Sequence, residues 1–158
     1  MNILDIFSNP FLLAPTLSWL IAQVIKTVIN AIVNRKIEIS RLFGDGGMPS
    51  GHSATVMALT TMCGIHPNVG FDSPIFAVSM ILAIIVMHDA HGVRREAGKH
   101  AESILSIVAV INDYVMEHDA NIKTDKLKVL VGHTPLQVVC GGLLGIAVSV
   151  VYYFVLVV

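Results

Sequence analysis

Residues 73–90, SPIFAVSMILAIIVMHDA, decide the fold class. No charged side chain interrupts the run before Asp89, and at 1.5 Å per helical residue it extends about 27 Å, close to the hydrocarbon thickness of a bilayer. Working outward, three more stretches approach the same length: Pro10 to Val33, Pro49 to His66, and Pro135 to Val157. The second carries Ser50, His52, Ser53, Thr55, Thr60 and Thr61, so it belongs inside a bundle rather than against lipid. Composition agrees. The 158 residues are 54% hydrophobic and 13% charged, with a mean hydropathy of +0.75, against about one quarter charged in soluble domains. The expectation is an all-α integral membrane bundle of about four transmembrane helices, forming one domain over residues 1–158.

Charge placement gives the direction of the spans. Of the ten Lys and Arg residues only Lys26 falls inside one. Arg35, Lys36 and Arg41 follow the first span; Arg94, Arg95, Lys99, Lys123, Lys126 and Lys128 follow the third. The positive-inside bias puts both basic loops in the cytosol and the two termini outside, and four spans alternate without contradiction. A net charge of −1 argues against a nucleic-acid binder, which needs a clear positive excess on some face. MNILDIF at the start lacks a basic segment and a cleavage site, so no cleaved signal peptide is expected. Cys63 and Cys140 are lone thiols in apolar runs and read as packing residues.

Between the third and fourth spans, Ile104, Leu105, Ile107, Val108, Ile111, Tyr114 and Val115 recur at helical spacing, opposite Glu102, Ser103, Ser106, Asn112 and Asp113. This predicts an amphipathic helix over about 101–118, lying on the membrane or against the bundle. Gly141 and Gly145 form a G-x-x-x-G pair that permits close helix contact.

Chemistry concentrates on the basic face. The segment Gly44-Asp45-Gly46-Gly47-Met48-Pro49-Ser50-Gly51-His52 is a glycine-rich loop running into a helix start, which is a ready anion site. His52 is an ionisable group one turn into a membrane helix, where it is costly to keep. Lys26, Arg94, Arg95 and His133 fall at the same membrane face. Two imidazoles, a lysine, arginines and a helix N-terminus are the parts that hold a phosphoryl group. Cations and amides bind its oxygens, one histidine attacks, and the other protonates the leaving oxygen.

These residues resemble the superfamily of type 2 phosphatidic acid phosphatases and vanadium-dependent haloperoxidases, in its divergent small-membrane-protein branch. Pro49-Ser50-Gly51-His52 is similar to the second motif, in which serine and amides bind phosphate and the histidine is the general acid. His133 through Gly141 resembles the end of the third motif, which implies that His133 is the nucleophile. Lys26 matches the lysine of the first motif, although Val33 stands where an arginine would follow and Arg35 comes two residues later. Arg94 or Arg95 would supply the third motif's arginine from almost forty residues upstream of His133. Gln137 replaces the aspartate that orients the nucleophile, and Asp89 is a candidate substitute carboxylate at the same face.

The resemblance implies a reduced phosphatase core and hydrolysis of a lipid or isoprenoid phosphate monoester, such as phosphatidylglycerol phosphate or phosphatidic acid, without metal or other cofactor. Two other classes fit the same residues. One is a non-catalytic membrane protein that binds anionic lipid head groups. The other is a metal-dependent membrane hydrolase using His88, Asp89 and His91 with His52 or His133. A bundle of four short spans either encloses its site or completes it as a homo-oligomer.

Overall fold

The computed structural model describes residues 3–35, 47–115 and 132–158, and every regular element among them is helical. A 3-10 turn, Ile3–Ser8, leads into α1 (Pro10–Asn34). Then follow α2 (Gly51–Ile65), α3 (Pro74–His91), α4 (Val93–Val115) and α5 (Pro135–Tyr152), whose last turn widens to a π-helix over Tyr153–Val157. Lys36, Arg41, Gly44 to Gly46, Lys123, Lys126, Lys128 and the expected end of the amphipathic segment at 116–118 lie outside the described residues.

Each bundle helix begins where its chemistry says it should. Asn9, Ser50, Ser73 and Thr134 are N-caps whose side-chain oxygens accept a first-turn N–H, and Pro10, Pro74 and Pro135 follow three of them. The core between the helices is built from small residues. Ala14, Ala22, Ala54, Ala58 and Ala83 are fully buried, whereas Ile32, Val78 and Leu143 face outward. This inverted distribution is that of a bundle solvated by lipid, where close approach of backbones replaces a large apolar core. A Cβ at Gly141 would collide with the carbonyl oxygen of Ser50, and one at Gly145 with that of Ala54, so the expected glycine pair is the seam between α5 and α2. Buried hydroxyls stitch the same seams: Ser18 donates to Ala54 O (3.2 Å), Thr60 to Ser79 O (3.0 Å) and Ser149 to Ala58 O (2.7 Å).

The fold is thus an all-α membrane helical bundle. Among the described residues three helical stretches, Pro10–Asn34, Pro74–Ile111 and Pro135–Val157, are long and apolar enough to cross a membrane. α2 has 15 residues, about 22 Å of helix, and is the central element, packed on by α1, α3 and α5. The amphipathic helix starts at Val93, earlier than residue 101, because the hydrogen-bond ladder continues across Gly92. The Gly92 N–H donates to His88 O (2.8 Å), and Gly92 O accepts from Glu96 N (3.1 Å). Ile104, Ile107, Val110 and Ile111 on α4 are exposed, and its main packing partner among the described elements is α3.

Candidate functional site

The N-terminus of α2 is held in place by α5. The Ser50 N–H donates to Gln137 O (3.0 Å), and the Ser50 hydroxyl, fully buried, accepts from the Ser53 N–H (3.4 Å). The N–H groups of Gly51 and His52 belong to the first turn, which the helix itself leaves unpaired and electropositive. Trp19 of α1 covers Gly51: a Cβ there would come within 3.2 Å of its Cδ1. Gly47, at φ +81°, brings the loop backbone down onto Lys26, whose Cγ would lie 3.0 Å from a Cβ at that position. Glycine is required for both reasons. Lys26 itself is only 7% exposed, so its side chain is packed inside the protein beside this loop.

His133 sits just before α5 and is 4% exposed. Its N–H donates to Ala90 O (2.9 Å), which ties it to the end of α3. The preceding residue, Gly132, lies so close to the α3–α4 junction that a Cβ would strike the backbone nitrogen of Arg95 and, at 2.7 Å, the carbonyl carbon of Arg94. The arginine pair and the histidine, distant in sequence, are therefore neighbours in space. The imidazoles of His52 and His133 lie 6.1 Å apart between centroids, inclined by 64°, close enough for one phosphoryl group to touch both.

Gln137 decides the protonation of His133. Thr134 and Gln137 form a capping box, with Gln137 Oε1 accepting the Thr134 N–H at 3.0 Å. The same Oε1 is 3.1 Å from His133 Nδ1. A backbone N–H requires an acceptor, so the amide oxygen is fixed toward it, and an amide oxygen cannot donate. Nδ1 must carry the proton, which places the lone pair on Nε2. Gln137 thus sets the tautomer without supplying charge.

The remaining site residues divide. Asp89 forms an ion pair with Arg94 (Oδ2 to Nε, 2.8 Å) at a half-exposed position, while Gln137 holds Nδ1 of His133. Arg95 is half-buried and Arg94 exposed. His88 and His91 are exposed at the end of α3, and among the described residues no three His, Cys, Asp or Glu side chains gather as a metal site. Two buried polar groups escape a reading of the sequence: Gln23 Oε1 and Ser53 Oγ, which have no hydrogen-bond partner among the described residues. Each stands three residues from a site residue, Lys26 and Ser50, on the same helical face, and that spacing was the available signal.

An all-helical protein that gathers a lysine, a Ser-Gly-His helix start and a second histidine at one end of its bundle belongs to the class of phosphatidic acid phosphatase-like membrane proteins. The chain is a member of the Divergent PAP2 family, whose pattern matches residues 7–148. It is 43% identical over 159 residues to YuiD of Bacillus subtilis (strain 168), described as an uncharacterized membrane protein, with 96% of this chain and 99% of that one aligned. No solved structure matches. The protein is accordingly a multi-pass membrane protein of the PAP2-like kind.

Proposed function

We propose that the protein is a membrane-embedded phosphatase that hydrolyses a lipid or isoprenoid phosphate monoester through a phosphohistidine on His133. The observation that carries this reading is the His52–His133 pair at the α2 N-terminus, 6.1 Å apart, with Gln137 holding Nδ1 so that the imidazole lone pair lies on Nε2.

In the first step Nε2 of His133 bonds to phosphorus while the phosphorus–alkoxide bond breaks, and protonated His52 gives its proton to the departing oxygen. The phosphorylated imidazole is cationic and keeps its Nδ1–H bond to Gln137 Oε1. In the second step neutral His52 takes a proton from water, the water oxygen bonds to phosphorus, and the P–N bond breaks. This releases phosphate and restores both histidines. The α2 amides, Ser50, Lys26 and an arginine from the Arg94–Arg95 pair neutralise the equatorial oxygens throughout. The cytosolic face suits substrates made on the inner leaflet, with phosphatidylglycerol phosphate and phosphatidic acid as the first to test.

One observation favours a second reading. Gln137 contributes no negative charge to the imidazolium, and a site of this geometry without turnover would bind anionic head groups. Phosphate release from a panel of lipid phosphates, measured in detergent with a chelator present, separates the two. Hydrolysis that disappears in both His133→Ala and His52→Ala supports the phosphatase. Head-group binding that survives His133→Ala, with no release from any substrate, supports the binder.

A further inference from the structure

One face of α1 runs past the start of α2. Trp19 lies on Gly51 and Lys26 on Gly47. Gln23 stands between them at i+4 from Trp19, with Lys26 at i+7, so the three side chains form one stripe. The contact at Gly51 is made by a particular edge of the indole. A Cβ on Gly51 would lie 3.2 Å from Cδ1 and 3.5 Å from Nε1 of Trp19, so the edge that carries the N–H meets the first turn of α2. Ordinary bond lengths then put Nε1 within about 6 Å of the Gly51 amide nitrogen, a gap that one phosphoryl group bridges. No hydrogen bond among the described residues engages this indole N–H. The nearest carbonyl groups are committed elsewhere: Ser50 O accepts the Ala54 N–H and Gly51 O the Thr55 hydroxyl.

Gln23 supplies a second, independent observation. It is 6% exposed, and its Oε1 is buried with no partner among the described residues. Buried polar atoms without partners are rare in folded proteins, and a half-buried indole N–H ordinarily finds an acceptor. A half-turn about the last bond of Gln23 presents its NH2 group in place of the oxygen. The stripe thus offers two neutral polar groups, one on each side of the level at which the α2 amides point out of their helix. We infer that the indole N–H of Trp19 donates to an oxygen of the bound phosphoryl group, making Trp19 a substrate-binding residue and α1 a wall of the site. The inference rests on the anion site of the phosphatase reading and not on its hydrolysis, so it holds equally for a head-group binder. An indole N–H donates and cannot accept, so it recognises an unprotonated phosphate oxygen and adds a bond without adding charge beside Lys26.

The chain has a single tryptophan, so every change in indole emission belongs to Trp19. The purified protein in detergent is titrated with inorganic phosphate, against sodium chloride at equal ionic strength, and followed by fluorescence and by calorimetry. Phosphate should produce a saturable change in emission with the calorimetric midpoint, and chloride should not. Trp19→Phe keeps an aromatic ring on Gly51 and removes the N–H. Its calorimetric affinity for phosphate should fall roughly tenfold, while the melting temperature of the phosphate-free protein changes little. A packing role alone would lower that melting temperature and leave the affinity as it was. An emission that does not respond to phosphate, an unchanged affinity in Trp19→Phe, or no phosphate binding at all would each overturn the inference. Release of phosphate from lipid phosphates by the same preparations keeps the two readings apart. A responsive indole and weakened binding in Trp19→Phe, without release from any substrate, defeat the hydrolysis and leave Trp19 in the site. Release that depends on His52 and His133 while the indole stays silent defeats the role of Trp19 and leaves the hydrolysis standing.

Discussion

Gln137 Oε1 lies 3.1 Å from Nδ1 of His133 while accepting the Thr134 N–H at 3.0 Å. One oxygen therefore caps a helix and fixes a tautomer. Gln137→Glu keeps the length of the side chain and both hydrogen bonds, and adds the negative charge that an imidazolium intermediate lacks. Its kcat for phosphate release should rise by about tenfold or more. Gln137→Leu removes both bonds. It should lower kcat by about 100-fold or more through loss of the tautomer, and it should also cost about 1 kcal/mol of stability through loss of the cap. Phosphate release and thermal unfolding, measured on the same preparations, read the two effects separately. A Gln137→Leu protein with normal kcat would show that the bond to Nδ1 is not used.

The α2–α5 seam gives a contrast between two glycines three residues apart. A Cβ at Gly145 runs into the Ala54 carbonyl, which is backbone and cannot swing aside, whereas one at Gly142 meets flexible methionine side chains, Met57 Cγ at 3.4 Å and Met87 Sδ at 3.9 Å. Gly145→Ala should destabilise the protein by about 1–3 kcal/mol as an overpacked contact, and Gly142→Ala should be nearly neutral. Melting temperatures in detergent decide this. Equal effects of the two substitutions would mean that α2 and α5 are not in close backbone contact.

Most of the bundle could be read from the chain because lipid imposes simple rules: apolar runs of span length, Asn, Ser or Thr caps followed by proline, and glycines where helices touch. The capping box between Thr134 and Gln137, and its consequence for His133, came from the three-dimensional arrangement. Contacts between residues far apart in sequence were beyond reach. Nothing local in Gly132 says that it rests on the Arg94–Arg95 backbone, and nothing in Gln23 or Ser53 says that their side chains are buried without partners. α4 begins earlier than its amphipathic pattern for a local reason: the N–H and C=O of Gly92 carry the ladder from His88 to Glu96.

Asp89 offers a test of which group serves the nucleophile. Its carboxylate is engaged with Arg94 at 2.8 Å, in a pair about half exposed. Such pairs contribute about 0–1 kcal/mol, so Asp89→Asn should shift stability by less than that. It should also leave phosphate release close to wild type, since Gln137 already holds His133. Collapse of kcat in Asp89→Asn, with the protein still folded by size-exclusion chromatography, would instead assign the charge-supplying role to Asp89.

Gly132 provides the most local probe of how the two halves of the site are joined. A Cβ there meets the backbone of Arg94 and Arg95, which are anchored in the α3–α4 helical run and cannot yield as a side chain would. The displaced loop would pull the His133 N–H away from Ala90 O, to which it now donates at 2.9 Å, and move Nε2 relative to His52. Misplacement of a reacting group by about 1 Å costs on the order of 100-fold in rate, so Gly132→Ala should lose about that much in kcat. Its melting temperature should change little, because the loop lies outside the α2–α5 seam. Retention of full activity in Gly132→Ala would mean that His133 does not depend on the arginine-bearing junction for its position, and it would remove Arg94 and Arg95 from the phosphate site together.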